Sequence, residues 1–381
     1  MLCLMNGPNL TQSSIKEQNK KKIIQALWEH SPISRTGLAD LTGLNKATVT
    51  NLINEIKDKN MITNVGQQKS KIGRSRNLIM FNEKYGLYAG IVIRPRVIHL
   101  ALSDVFTKIL WQDEYKYKPE DKPLFVLENI SEMLSEQLSK YKDEFTNFLG
   151  IGIGTGSLLR QNDDMMYAVH SINWFNVPLG EYFRQQFKVP ILVDTVSNNA
   201  MIGEKYFGVA KEVSNAVLIN IGNGIGGGLL LDNKIYRGSD GFAGDIGHFM
   251  IDPNGPSCPC GNRGCWEIMG SSLAIENGSL KKLIQRAENG EASAITLLDS
   301  IGHAIGIGVS NLIRVLNPEL VILGGDIVIA GKWVMNPCKT ETKTRLWPFV
   351  WKRTNIRFAG LGSHSAIIGS LTRIIEQMFI S

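Results

Sequence analysis

A chain of 381 residues exceeds one ordinary core and is expected to fold as two or three compact units. Its 43% hydrophobic and 20% charged residues are ordinary for a soluble globular protein. No apolar run approaches the roughly 20 residues needed to cross a bilayer, and Met1 to Met5 lack the basic flank of a signal peptide, so a cytoplasmic protein with no membrane partner is expected.

The net charge of +6 is unevenly placed. Residues 1–80 hold twelve Lys and Arg against five Asp and Glu, so the whole excess lies in the first fifth of the chain. This asymmetry points to a polyanion-binding module attached to a nearly neutral body.

Residues 20–64 read as three helices. Ile23, Ile24, Leu27 and Trp28 form one apolar stripe. Pro32 and Ser34 open a short second helix carrying Leu38, Ala39 and Leu41, and Thr42-Gly43-Leu44 is a tight turn. Asn45 is a suitable N-cap for a third helix with Val49, Leu52, Ile53 and Ile56 at core spacing. Its other face offers Lys46, Ala47, Thr48, Thr50, Asn51 and Asn54, short side chains suited to a major groove. Met61 to Val65 and Leu78 to Phe81 read as strands joined by a basic tip with Lys69, Lys71, Arg74 and Arg76, a wing that can reach phosphates or the minor groove. The alternative is a protein-interaction bundle with a solvated basic face.

From about Tyr85 apolar runs alternate with amphipathic helices. Strands are expected at 87–102, 148–154, 189–193, 216–221, 229–235 and 320–323, with helices at 124–141, 199–207 and 293–316. That order gives an α/β body of two lobes with related topology. Of five cysteines, Cys258, Cys260 and Cys265 crowd together, ten or more residues after His248. Three thiolates and an imidazole complete a tetrahedral Cys3His set of the closed, structural zinc type, and a cytosolic chain disfavours disulfides. The alternative is three reduced thiols beside an unrelated histidine; Cys3 and Cys338 read as incidental.

Ser31-Pro32-Ile33-Ser34-Arg35 through Gly43-Leu44-Asn45-Lys46-Ala47-Thr48-Val49 resembles the DNA-binding start of ROK-family repressors (repressors, open reading frames and kinases), nearest to their xylose-operon group. Ala243-Gly244-Asp245-Ile246-Gly247-His248 and the run Cys258 to Glu267 resemble the zinc and sugar motif of the same family. The resemblance implies a winged helix-turn-helix over residues 1–82. It implies a two-lobed, actin-like (ribonuclease-H-like) sugar-kinase fold beyond, with lobes at 83–205 and 206–381 and a C-terminal helix that can return to the first. It also implies zinc on His248, Cys258, Cys260 and Cys265, and sugar contacts from Asn173, Thr195, Asp245, His248 and Glu267, with Trp174 or Phe175 lining the ring. Operator DNA would be met by Arg35, Asn45, the third helix and the wing of a homodimer, and a monosaccharide, xylose by resemblance, would release it.

Family kinases carry Asp-x-Gly-Gly-Thr after the first strand, where this chain has Ile91-Val92-Ile93-Arg94-Pro95-Arg96. Proline removes an amide from any phosphate cradle. Counting back from Gly203-Glu204, the catalytic Asp position is Val196, which cannot accept a proton. A register slip would put Asp194 there instead. The run Gly222 to Gly228 keeps the form of a phosphate loop but equally suits a tight hairpin between the lobes, and Leu323-Gly324-Gly325 resembles the nucleotide-side motif, with packing alone as the alternative role of its glycines. The expectation is a repressor without enzyme activity. The rivals are a sugar kinase with an accessory DNA-binding head and a scaffold that binds a phosphotransfer protein.

Overall fold

The N-terminal head is built on α1 (Gln12–His30), β1 (Ile33–Ser34), α2 (Arg35–Thr42), α3 (Lys46–Asp58), β2 (Ile62–Gln68) and β3 (Arg76–Phe81). A computed structural model describes residues 12–68, 76–156, 159, 164–169, 174–275 and 279–380 of the chain. Lys69, Lys71, Arg74 and Asn173 lie outside the described residues, and Arg76 enters only through its backbone. The expected stripes form one core: Ile23 and Leu27 meet Leu38, Val49, Ile53, Ile56, Ile79 and Phe81, all at most 3% exposed.

Two features of the head depart from the sequence reading. α1 begins at Gln12 rather than near residue 20, and its polar first half is tethered to α3 by the Lys16–Glu55 ion pair (2.6 Å). The wing also has a third strand, because Ile33 and Ser34 pair with Ile79 and Leu78. Ser34 then caps α2, its hydroxyl accepting from Gly37 N–H.

The body repeats one sheet plan twice. The first sheet comprises β4 (Leu87–Arg94), β5 (Val97–Ser103), β6 (Ile109–Lys116), β7 (Phe148–Thr155) and β10 (Ile191–Thr195), in the order β10-β7-β4-β5-β6. Helix α4 (Pro123–Tyr141), the pair β8 (Met166–Val169) and β9 (Trp174–Val177), and α5 (Leu179–Phe187) intervene. After α6 (Val196–Tyr206) comes the second sheet: β11 (Ala216–Ile221), β12 (Ile225–Leu231), β13 (Lys234–Ile235), β14 (Leu320–Gly324) and β15 (Ile356–Phe358), in the order β13-β12-β11-β14-β15. In each, a three-stranded antiparallel meander has two parallel strands added beside its first strand.

The second sheet is covered by α7 (Trp266–Gly270), α8 (Leu280–Glu288), α9 (Ala292–Leu316), α10 (Lys332–Arg345) and α11 (Pro348–Trp351); α12 (Ser365–Ile375) and a π-helical turn (Glu376–Ile380) end the described chain. The expectation about apolar runs needs correction at α9, whose 25 residues are long and apolar enough to cross a membrane by length and composition. Here its Leu298, Ile301, Ile305, Val309 and Ile313 are buried among the second-sheet residues Val217, Ile219 and Val321.

α12 crosses back to pack on β4, β7 and α6. A methyl group at Gly369 would overlap the Asn199 carbonyl of α6, and one at Gly203 would overlap the Ser365 carbonyl of α12, so the two helices touch backbone to backbone. Glu204, fully buried, accepts from Gly360 N–H, Leu361 N–H and the Ser365 hydroxyl at 2.8–3.0 Å. We expect Gly369→Ala to cost about 3 kcal/mol, at the upper end of overpacking penalties. Urea unfolding would read this as a lower midpoint at unchanged m, and an unchanged midpoint would refute the contact.

Candidate effector and metal site

The four candidate metal ligands converge. His248, in a 3-10 turn (Ile246–His248), and Cys258, Cys260 and Cys265 present donor atoms all within 4.8 Å of one another. Cys260 Sγ lies 3.6 Å from Cys265 Sγ, and Cys258 Sγ 3.8 Å from His248 Nδ1. A tetrahedron with metal–sulfur bonds of about 2.3 Å has sulfur–sulfur edges of about 3.8 Å, so the set fits one tetrahedral ion. Burial pushes the Cys265 thiol up to about 12, while the Asn262 backbone N–H and the neighbouring thiols draw Cys260 down to about 7. A cation would displace the remaining protons. The loop is otherwise closed by the Met250–Cys265 and Ser257–Arg263 bridges and has little apolar content of its own.

The segment before the loop is fastened to β12, since Gly227 N–H donates to the Gly244 carbonyl at 2.7 Å. Asp245, next in the chain, is exposed. Glu267, in the first turn of α7, accepts from Ile225 N–H through Oε2 at 2.9 Å, and its Cβ lies against Gly247. The glycine run forms the tight hairpin between β11 and β12 and then packs closely. Gly226 to Gly228 lie within β12, and side chains at Gly226 and Gly228 would run into Ser197 of α6. In this way the N-terminal turn of α6, the start of β12, Glu267 and the 244–248 segment are brought together.

Thr195 is the N-cap of α6, its Oγ1 accepting from Asn198 N–H at 3.1 Å, and Val196 is the first helical residue, 5% exposed. Asp194 does not slip into that place. It lies on β10 opposite Gly154, 5% exposed, and its carboxylate accepts four hydrogen bonds, from Thr195 N–H (2.8 Å), Asn198 Nδ2 (2.7 Å) and Arg237 Nε and Nη2 (3.0 and 2.8 Å), and forms an ion pair with Arg373 Nη1 (2.8 Å), which itself donates to the Val193 carbonyl. Burial alone would raise its pKa; the two guanidinium charges and the Asn198 bond override this and hold it below the usual carboxylate range. Such a group is a poor base.

Several buried polar atoms near this end of the first sheet have no partner among the described residues: Thr155 Oγ1 (Thr155 pairs in register with Thr195), Asn198 Oδ1 and Trp174 Nε1. Trp174 is fully buried with its ring 5.4 Å from that of Tyr117, so it is a core residue; Phe175 is the exposed aromatic.

The segments compared above with phosphate loops also converge, around an ion pair. Arg94, ending β4, reaches Asp326, just beyond β14, with Nη1 to Oδ1 at 3.1 Å, and a Cβ at Gly222 would lie 3.1 Å from the other oxygen of that carboxylate. The partners are 232 residues apart, and no local pattern announces the pair.

In the head, Lys46, Ala47, Asn51 and Asn54 are exposed along α3, with Thr48 and Thr50 half-buried. Asn45 Oδ1 is occupied by Thr48 N–H (2.8 Å), the Thr50 hydroxyl donates to the Lys46 carbonyl (2.8 Å), and Arg35 Nη2 donates to Asn54 Oδ1 (3.0 Å).

The ROK family profile matches residues 88–376. The xylose repressor of Bacillus spizizenii is 30% identical over 374 residues, covering 96% of this chain and 97% of its own. Among solved structures, a ROK family transcriptional regulator described as a homologue of the E. coli MLC protein superposes with a TM-score of 0.83 at 22% identity, covering 96% of both chains. A ROK family glucokinase from Streptomyces griseus, solved with glucose and AMPPNP, reaches 0.64 at 23% identity and covers 76% of this chain and 99% of its own.

Proposed function

Because this chain belongs to the ROK family, we propose that it is a transcriptional repressor of a sugar-utilisation operon, released from DNA by a monosaccharide bound in its kinase-like body. The observation that carries this reading is the reach of the likeness. Similarity to a xylose repressor runs through head and body alike, whereas the glucokinase covers only about three quarters of the chain. Residues 1–82 act as the reading head, and 83–205 and 206–381 as the two lobes. The effector is xylose, met by Thr195, Asp245, His248, Glu267 and Asn173.

His248, Cys258, Cys260 and Cys265 hold a structural zinc ion. With Nδ1 turned to the thiols, the Nε2 of His248 is left for a sugar hydroxyl. The protein works in the cytoplasm as a homodimer whose two-fold axis matches paired half-sites. It does not phosphorylate sugars. Val196 offers no base, Asp194 is consumed by two arginines, and the Arg94–Asp326 pair stands where the nucleotide-side motifs meet.

Fluorescence anisotropy on a labelled fragment from upstream of the gene tests the reading at two salt concentrations, with and without xylose. Tight binding is expected to weaken with a log–log slope of about −0.9 per phosphate contacted. It is also expected to fall at least tenfold with saturating xylose, a coupling within the usual allosteric range of about 5- to 150-fold. ATP consumption on adding xylose, or binding no tighter than to random DNA, would overturn it.

A further inference from the structure

The elements that hold the reading head against the body lead back to one buried carboxylate. Trp28 of α1 donates from Nε1 to the Val105 carbonyl at 2.8 Å and packs edge-on against Tyr206 and Phe207, with ring centroids 5.5 and 5.9 Å away. Tyr206 ends α6. Its hydroxyl donates to Glu376 at 3.2 Å, and Glu376 opens the π-turn that follows α12 and itself packs on α1. The head is thus seated on the C-terminal ends of two helices, α6 and α12.

Both helices are tied to Asp194: α6 through Asn198 in its first turn, and α12 through Arg373 in its last. A third tie, Arg237, leads into the 236–248 segment that carries Asp245 and His248. We infer that Asp194 is the joint that relays occupancy of the sugar site to the head, by fixing α6, α12 and the Arg237 segment to one another so that they move as a unit. This rests on the reading of that site as an effector site.

The physics favours a concerted shift. Leaving either guanidinium of this buried cluster without its carboxylate is costly, so the ties do not open one at a time. Packed helices instead shift together by about 1–2 Å, the usual scale of such transitions. A cavity of about 340 Å³ adjoins these elements, bounded by Gln25 and Glu29 of α1, Lys205 and Tyr206 of α6, Asn233 and Glu376. Among the proposed sugar contacts Asp194 meets only the backbone N–H of Thr195 and no sugar-facing side chain, which makes it a positioning residue.

The test uses the full chain as wild type, Asp194→Asn and Tyr206→Phe. Three quantities are measured: operator affinity with and without saturating xylose, xylose affinity by calorimetry, and hydrogen exchange of residues 21–30. Each variant is expected to keep xylose affinity within about twofold, while the factor by which xylose weakens operator binding falls about tenfold. Exchange in α1 is expected to quicken about fivefold even without sugar. An unchanged release factor with unchanged exchange overturns the inference. Should Asp194→Asn fail to fold, Tyr206→Phe, which removes one hydroxyl, decides alone. Should the wild type bind operator but ignore xylose, the effector reading falls, and the joint is judged by exchange: quickening in Tyr206→Phe supports it and none refutes it.

Discussion

Replacing Cys265 by Ser is expected to abolish stoichiometric zinc binding and to lower Tm by roughly 5–10 °C, taking about 3 kcal/mol lost and about 2–3 °C per kcal/mol for a chain of this size. The reasoning starts from composition. The stretch from Asp252 to Arg263 is mostly exposed, with Pro, Gly, Asn and Ser in place of apolar side chains, so hydrophobic burial contributes little to its order. A metal ion held by the four donors, which lie within 4.8 Å of one another, would supply that order instead. Cys265 directly precedes α7, and Glu267 on that helix is aimed at the Ile225 amide. Loss of the ion should therefore weaken sugar binding as well as stability. A chelator should give the wild type the same lowered Tm. Cys338→Ser is the control: that thiol is fully buried in α10, away from the cluster, and its loss should leave metal content unchanged. Full metal content in Cys265→Ser, or a metal-free chain melting with the wild type, would sink the structural role of the ion.

What could be read from the sequence was what is encoded locally. The α3 stripe of Val49, Leu52, Ile53 and Ile56 follows from helical spacing, and all four are buried. The Cys258, Cys260 and Cys265 cluster could be recognised because its ligands sit within eight residues of one another and only His248 must be brought in from further away. The limits of α6 and α9 fell within three residues of expectation, because apolar periodicity marks long helices well.

Pairings between distant segments were not legible. The third wing strand is two residues long and exists only because Ile79 and Leu78 lie beside it. The glycine run read equally as a phosphate loop or a tight hairpin, and it turns the hairpin from β11 to β12; that Gly226 and Gly228 make room for Ser197 depends on α6 lying across the strand. Asp194 read as a substitute base reached by a register slip, since nothing in its neighbourhood announces Arg237 and Arg373, 43 and 179 residues further on. The same holds for Arg94 and Asp326. In both cases the chemistry of a residue was set by a partner that chain order does not reveal.

Two asparagines of the head were both expected at the DNA, Asn45 also as the N-cap of α3, and the structure bears out that cap. Asn51 is exposed on α3 between the core positions Val49 and Leu52, and an asparagine amide can pair bidentately with adenine in the major groove. Asn51→Ala is expected to weaken operator binding about 5- to 150-fold, the equivalent of about 1–3 kcal/mol for a base contact, with Tm and binding to random DNA unchanged. Asn45 already spends its carbonyl oxygen on Thr48 N–H at 2.8 Å, so Asn45→Ala should act first on the fold, costing about 1 kcal/mol of stability as a lost N-cap. Lys46→Ala differs from both. It should weaken specific and random DNA alike and reduce the salt slope by about 0.9, as one lost phosphate contact would. Anisotropy on operator and scrambled duplexes at two salt concentrations, beside a thermal melt of each variant, separates the three roles. If Asn51→Ala loses equally on both duplexes, α3 grips the backbone without reading sequence, and recognition must come from elsewhere in the head.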